Sequence, residues 1–337
     1  MKTLLLGGTG WLGSTTAAVA RDRGHDVTCL ARGETGSAPA GVRFVQADRD
    51  QEDAYDAVRG EDWDHVVEVS WQPGMVRTAL EALGSRARHW SYVPSCSVYA
   101  GQDTPGADES APTLLPLTTD RAERSEYGEA KAACERLTLK ALGERALIEA
   151  GVIGGFGDVG DRLGYWPARF SASVGGAGGW RPGDPVLVPD APRMATQVIN
   201  VEDLADWLIH CGENRVTGVF NASGELVAFE DLIAACRRIT GADAPIVSAS
   251  GAWLVDQGIE EFAGEKSLPL WIHDPAGAGF SQRDTSAAVA AGLTWRPIDH
   301  LVDAALRWEI FRGLERDRKA GLTPAEEREL ISEWVSQ

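Results

Sequence analysis

A glycine turn close to the start of the chain restricts its fold more than any other feature. Gly7-Gly8-Thr9-Gly10-Trp11-Leu12-Gly13 lies between the apolar run Leu4-Leu5-Leu6 and an amphipathic stretch from Trp11 to Arg23 that stops at Gly24. Three apolar residues ahead of the turn read as a buried strand, and the stretch behind it reads as a helix. A strand feeding a helix through such a turn is the first half of a βα unit, whose next strand must return parallel to the first. Gly10 lets the backbone approach a bound pyrophosphate, Gly13 lets the helix sit close to the sheet, and the unpaired amides at the helix start face the phosphates. The bland alternative is a tight turn without a ligand. The repeated βα pattern around the turn favours a dinucleotide, with Gly7, Gly10, Trp11, Leu12 and Gly13 as its cradle.

That repetition continues. Strands are predicted over 26–31, 42–46, 65–69, 89–94 and 146–153, with helices near 51–59, 74–85 and 121–143. Parallel neighbours need crossovers, so the expected fold is α/β, a doubly wound parallel (Rossmann) sheet. Beyond residue 155, Gly175-Gly176-Ala177-Gly178-Gly179 and Pro182-Gly183-Asp184-Pro185 are loop material. Short strands near 186–188, 197–200 and 217–221 alternate there with helices near 201–211, 228–239, 298–313 and 323–335. At 337 residues the chain exceeds one ordinary core. Residues 1–155 are expected to form a dinucleotide-binding domain, rejoined by about 195–215, and residues 156–337 mainly a smaller α+β substrate domain.

The formal net charge of −18, with no basic run, argues against a nucleic-acid partner, because a phosphate polymer is held by neutralising lysines and arginines. Cys29, Cys96, Cys134, Cys211 and Cys236 are scattered and read as reduced, buried thiols of a cytoplasmic protein. No apolar run approaches the ~20 residues that span a bilayer. The six histidines show no metal-ligand spacing, so no metal is expected.

At the end of the second strand, where an NAD site places a carboxylate on the ribose, the chain reads Leu30-Ala31-Arg32-Gly33. Arg32 would attract a 2′-phosphate, which favours NADP over NAD; the alternative is that Glu34 meets the ribose and Arg32 is a solvated charge. Tyr127-Gly-Glu-Ala-Lys131 puts two side chains on one helix face. A tyrosine acting near neutrality needs its pKa lowered by about three units, ~4 kcal/mol. One ammonium ~4 Å away supplies about that at an effective dielectric of ~20. Ser95 and Ser97, at the end of the fifth strand, are both candidates to steady a substrate oxygen; each also suits a turn or cap.

These three pieces, in this order, resemble the extended short-chain dehydrogenase/reductase superfamily and its NAD-dependent epimerase/dehydratase group. The likeness extends to Asp48-Arg49-Asp50 and to Asn200-Val201-Glu202-Asp203-Leu204-Ala205. It implies that Ser95, four residues before Tyr99, is the catalytic serine. It implies further that Tyr127 exchanges the proton at the substrate oxygen, that Lys131 also holds the nicotinamide ribose, and that Asp48 and Arg49 lie at the adenine. Helices bracketing the tyrosine often pair in this family, which implies a homodimer. Members acting on nucleotide sugars carry an arginine where this chain has Thr196, with Arg193 the candidate replacement. The family's Arg-Pro-Gly is Glu149-Ala150-Gly151 here, and Ser70-Trp71-Gln72 stands where small residues are usual.

Those departures direct the leading expectation to an NADP-dependent reductase or dehydrogenase acting on a carbonyl or alcohol of a small organic molecule. A nucleotide-sugar epimerase or dehydratase holding its cofactor tightly is the alternative. A non-catalytic RNA-binding relative comes third. Ser97, Trp71, Gln72, Trp166 and Arg193 are the candidate substrate contacts, and Ser267–His273 is a candidate lid. Trp180, Trp253 and Trp271 either join the pocket wall or fill the small domain's core.

Overall fold

In the computed structural model, residues 1–143 and 146–337 are described, with side chains omitted for 146–149. Strands β1 (Lys2–Leu6), β2 (Asp26–Ala31), β3 (Arg43–Gln46), β4 (Trp63–Glu68), β5 (Ala87–Tyr92) and β6 (Ala146–Ala150) belong to one sheet. Beyond them come β7 (Val152–Gly154), β8 (Val186–Pro189), β9 (Ala195–Thr196), β10 (Val198–Asn200) and β11 (Gly218–Ala222). The main sheet runs β11-β6-β5-β4-β1-β2-β3 and is parallel throughout. Strand order therefore reverses between β1 and β4, the point at which doubly wound sheets open a crevice at their carboxyl ends.

The run Leu4-Leu5-Leu6 is apolar throughout because both faces of β1 are covered. Leu5 packs with Ala17 and Ala20 of helix α1 (Trp11–Asp22) and with Leu204 and Leu208 of α5 (Val201–Asn214). Leu4 and Leu6 join Val76, Ala79, Leu80 and Leu83 of α2 (Pro73–Leu83), with Cys134 of α3 (Tyr127–Leu142) beside them. A third core, around Trp166, Phe170, Phe229, Trp271 and Val302, belongs to the smaller α+β layer built on α4 (Arg162–Gly175) and the helices Phe229–Thr240 and Ile298–Arg312. All five cysteines are free and buried. Among the described residues no helix is long and apolar enough to cross a membrane.

Several local expectations need correction. The helix expected near 51–59 is a chain of turns, closed by Asp56 N to Asp53 O at 3.0 Å and Val58 N to Tyr55 O at 2.9 Å, which tucks Tyr55 inward. The helix expected from 121 starts at Tyr127, because a 3-10 turn over Arg124–Glu126, capped reciprocally by Glu123 and Glu126, precedes it. The strand expected over 146–153 breaks at Gly151, where a Cβ would lie 2.4 Å from Ser223 Oγ; β7 beyond it pairs with β10 instead. Helix α4 had no forecast, since Gly164 and Pro167 mask its period, yet tertiary burial of nearly every residue holds it.

Candidate active site

Two clefts open along the carboxyl ends of the strands and share Gly10 and Val69. One is lined by Gly7, Leu30, Arg32, Glu34 and Arg49. The other is lined by Gly13, Ser95, Tyr127, Lys131 and Ile153. Together they form a trough across the switch point with the glycine turn at its middle.

The glycines have separable reasons. Gly7 sits at φ +96°, and a Cβ on Gly13 would lie 2.3 Å from the Gly7 carbonyl oxygen, so both serve the turn and the helix–sheet contact. Gly10 is different: its φ is −73°, and a Cβ there meets nothing closer than Gly7 O at 3.6 Å. The protein itself does not require a glycine at 10; its bare face is turned to open space. No side chain caps α1, so its first amides stand ready for an anion. A dinucleotide fits this cradle. Gly10→Ala should therefore melt within about 1 kcal/mol of wild type, the scale of a cap change, yet lose at least about tenfold in dinucleotide affinity. Thermal unfolding and NADH fluorescence titration check the two halves. Trp11 contributes by its backbone, because its indole Nε1 donates to Phe156 O at 2.8 Å and packs on Gly157.

At the adenosine end Arg32 and Glu34 face each other, 3.3 Å apart and both exposed. Ala47 and Arg49 line the cleft there, and the Asp48 carboxylate between them accepts the Asp50 amide at 3.1 Å. Arg49 is buried and forks onto Glu68 at the end of β4, its Nη1 donating to Oε1 at 2.9 Å. It also donates to the Tyr55 hydroxyl at 3.0 Å and Met75 O at 2.8 Å. Its guanidinium is thus a structural tie beneath the cleft floor. Sequence reading had no signal for its partner Glu68, an acid that ends β4 directly after Val66 and Val67.

At the other end α3 presents Tyr127 and Lys131 one turn apart, and Ser95 lines the same cleft. Ser95 Oγ accepts the Ser97 amide at 3.2 Å and lies 3.2 Å from Ser97 Oγ, so Ser97 stands behind Ser95. Lys131 is buried, with its ammonium on Val93 O at 2.6 Å, Ser70 O at 3.0 Å and Val69 O at 3.4 Å, tying the ends of β4 and β5. The expectation of an acidic phenol is overturned in this state. Burial raises the Tyr127 pKa above its ordinary value, outweighing the lowering by the Ser95 side chain and by the Arg124 and Arg162 guanidiniums. The Arg124 guanidinium stands 5.1 Å from the centre of the phenol ring.

The candidate substrate contacts divide. Trp71 belongs to this end, its ring 5.6 Å from that of Tyr127. Gln72 does not act as a free contact, because its amide is committed to a reciprocal pair with Ala122: Nε2 donates to Ala122 O at 3.1 Å and Oε1 accepts Ala122 N at 3.0 Å. Trp166 is no pocket wall; it is fully buried and its Nε1 donates to Pro269 O at 2.8 Å. Trp180 and Trp271 are likewise buried in the small layer. The candidate lid is core: Ser267–Pro269 pairs with Glu260–Phe262, and Leu268, Leu270 and Trp271 are buried. Arg193 is exposed, and Thr196 is buried with its hydroxyl on Val227 O at 3.3 Å. Arg124 and Arg162 were missed. The position of Arg124, three residues before Tyr127, was a usable signal for sharing its side; Arg162 is far away in sequence and had none.

Comparison with known proteins gives matches over the nucleotide-binding half and over the fold. Residues 3–148 match the model of the NAD dependent epimerase/dehydratase family. A UDP-glucose 4-epimerase of Corynebacterium glutamicum is 26% identical over 280 residues, covering 73% of this chain and 82% of that protein. Among solved structures, the UDP-Glc/GlcNAc 4-epimerase of Campylobacter jejuni superposes with a TM-score of 0.67 at 16% identity, over 92% of this chain and 99% of that one. The Bordetella bronchiseptica enzyme WbmG, in complex with NAD and UDP, gives 0.62 at 17% identity, over 93% and 96%.

Proposed function

We propose that this chain, whose residues 3–148 match the NAD dependent epimerase/dehydratase family model, is an NAD(P)-dependent epimerase or dehydratase of a nucleotide sugar. The observation that carries this reading is the placing of Ser95, Tyr127 and Lys131 on one cleft that is continuous with the Gly10 cradle. The UDP-sugar epimerases among the relatives move it ahead of the net reductase expected from sequence.

When bound, the nicotinamide supplies reversible hydride acceptance at a carbinol carbon. Tyr127 takes the hydroxyl proton of that carbinol as the carbon–hydrogen bond breaks, and returns it when the hydride comes back. Ser95 donates a hydrogen bond to the substrate oxygen and steadies the charge that develops there. Lys131 holds the strand ends at fixed spacing, and to reach a ribose it must release one of its three carbonyl partners. Trp71 forms an aromatic wall beside the phenol.

Cofactor choice turns on Arg32. Its guanidinium already faces the Glu34 carboxylate, and a 2′-phosphate would be repelled by Glu34 while attracted by Arg32. That weakens the case for NADP and leaves NAD at least equal to it. A net dehydrogenase or reductase remains the second reading, supported by Thr196: a buried neutral hydroxyl stands where nucleotide-sugar enzymes are expected to carry a cation. Incubating the purified chain with NAD and UDP-glucose, and following the sugar by proton NMR, separates the two. Inversion or dehydration of the sugar without accumulation of NADH is expected. Stoichiometric NADH, or turnover of NADPH only with simple carbonyls, would replace this reading with the second.

A further inference from the structure

We infer that Arg124 and Arg162 together form a clamp for an oxyanion of the substrate, held beside the reacting carbinol. The inference rests on the nucleotide-sugar reading and deepens it: the oxyanion is either a carboxylate on the sugar ring or the diphosphate that Thr196 is not equipped to hold.

The Arg124 guanidinium lies against the Tyr127 ring, 5.1 Å from its centre, and the charge of Arg162 reaches both the phenol and Arg124. Among the described residues neither has a hydrogen-bond or ion-pair partner. In a chain with 50 acidic and 32 basic residues, carboxylates are abundant, so two arginines near one phenol and left without a carboxylate mark a place kept for an external anion. The carboxylate that acts most on Arg162 is Asp158, which stays beyond ion-pair distance and turns its Oδ1 to the Gly160 amide at 2.7 Å.

What holds the two guanidiniums instead is aromatic. Arg162 lies 5.3 Å from the Phe262 ring centre, and Arg124 lies 5.1 Å from that of Tyr127 and 6.0 Å from that of Trp71. Contact through a flat face fixes a guanidinium while its N–H edge stays available for the bidentate fork that carboxylates and phosphates match. The two positive charges repel, and the repulsion is relieved when one anion sits between them. Their place next to Tyr127 puts that anion close to the carbon under reaction.

The test uses the full chain saturated with NAD and measures binding of UDP-glucose and UDP-glucuronate by calorimetry, for wild type, Arg124→Gln and Arg162→Gln. Loss of roughly tenfold or more, the scale of one charge-assisted hydrogen bond, is expected in each variant. Loss confined to UDP-glucuronate assigns the clamp to the ring carboxylate, and equal loss for both ligands assigns it to the diphosphate. Affinities within twofold of wild type for both ligands overturn the clamp. Arg124 is exposed, so its variant decides the matter if Arg162→Gln fails to fold, and NAD affinity reports folding in each. Should neither UDP compound bind wild type while NAD does, the nucleotide-sugar reading fails separately. Galacturonate against its methyl ester then decides the clamp: preference for the acid that disappears in Arg124→Gln supports it, and absence of any preference overturns it.

Discussion

Tyr127→Phe should lower turnover by about 10²–10⁴-fold, the range that a positioned proton-transfer group supplies, while NAD binding and melting behaviour stay close to wild type. The phenol lines the trough at the end that holds Ser95, and its removal takes away one hydroxyl without opening the core. The sign of the pH dependence follows from its surroundings. To accept a proton the phenol must ionise, and burial holds its pKa above the ordinary tyrosine value. Substrate oxidation should therefore gain as pH rises toward that pKa. Arg124→Gln removes a lowering influence, so it should displace this limb to higher pH. Turnover in the Phe variant within a few-fold of wild type, or a limb unmoved by Arg124→Gln, would remove Tyr127 from the proposed role.

Glu68→Ala should destabilise the fold by about 3–5 kcal/mol, the expected loss when one member of a buried ion pair is deleted. Glu68 is fully enclosed and Arg49, the cation paired with it, is nearly so; deletion strands a guanidinium beneath the cleft floor. It also releases the Ser70 amide, which donates to Glu68 Oε1 at 2.8 Å, and so loosens the turn that Lys131 holds from the other side. Denaturant unfolding measures the effect. The double variant Glu68→Leu, Arg49→Met should recover much of the loss, because an apolar pair of similar volume avoids the desolvation of both charges. Glu68→Ala within about 1 kcal/mol of wild type would mean that water reaches the pair.

The elements that positioned the catalytic end were legible in the sequence because their signals are local. Leu4-Leu5-Leu6, the glycine turn and the helix halted at Gly24 each declare themselves within a few residues, and the repetition of strand and helix dictates parallel pairing. The spacing of Tyr127 and Lys131 likewise needs only the pitch of α3. The composition of the small layer was harder to read. Its tryptophans look alike in sequence, and only packing separates Trp166, buried in a core, from Trp71, facing the phenol.

By itself, then, the order of residues determined a doubly wound sheet, a glycine turn between its first strand and first helix, and the placing of Ser95, Tyr127 and Lys131 at its strand ends. Tertiary structure decided the electrostatics: that Arg49 is tied to Glu68, that Lys131 faces main-chain carbonyls, and that Arg124 and Arg162 are the cations acting on the phenol. The physical reason is range. Helix pitch and turn stereochemistry act between neighbours along the chain, whereas the pKa of a buried group depends on desolvation and on charges that folding brings from 19 or more residues away, as with Arg49 and Glu68.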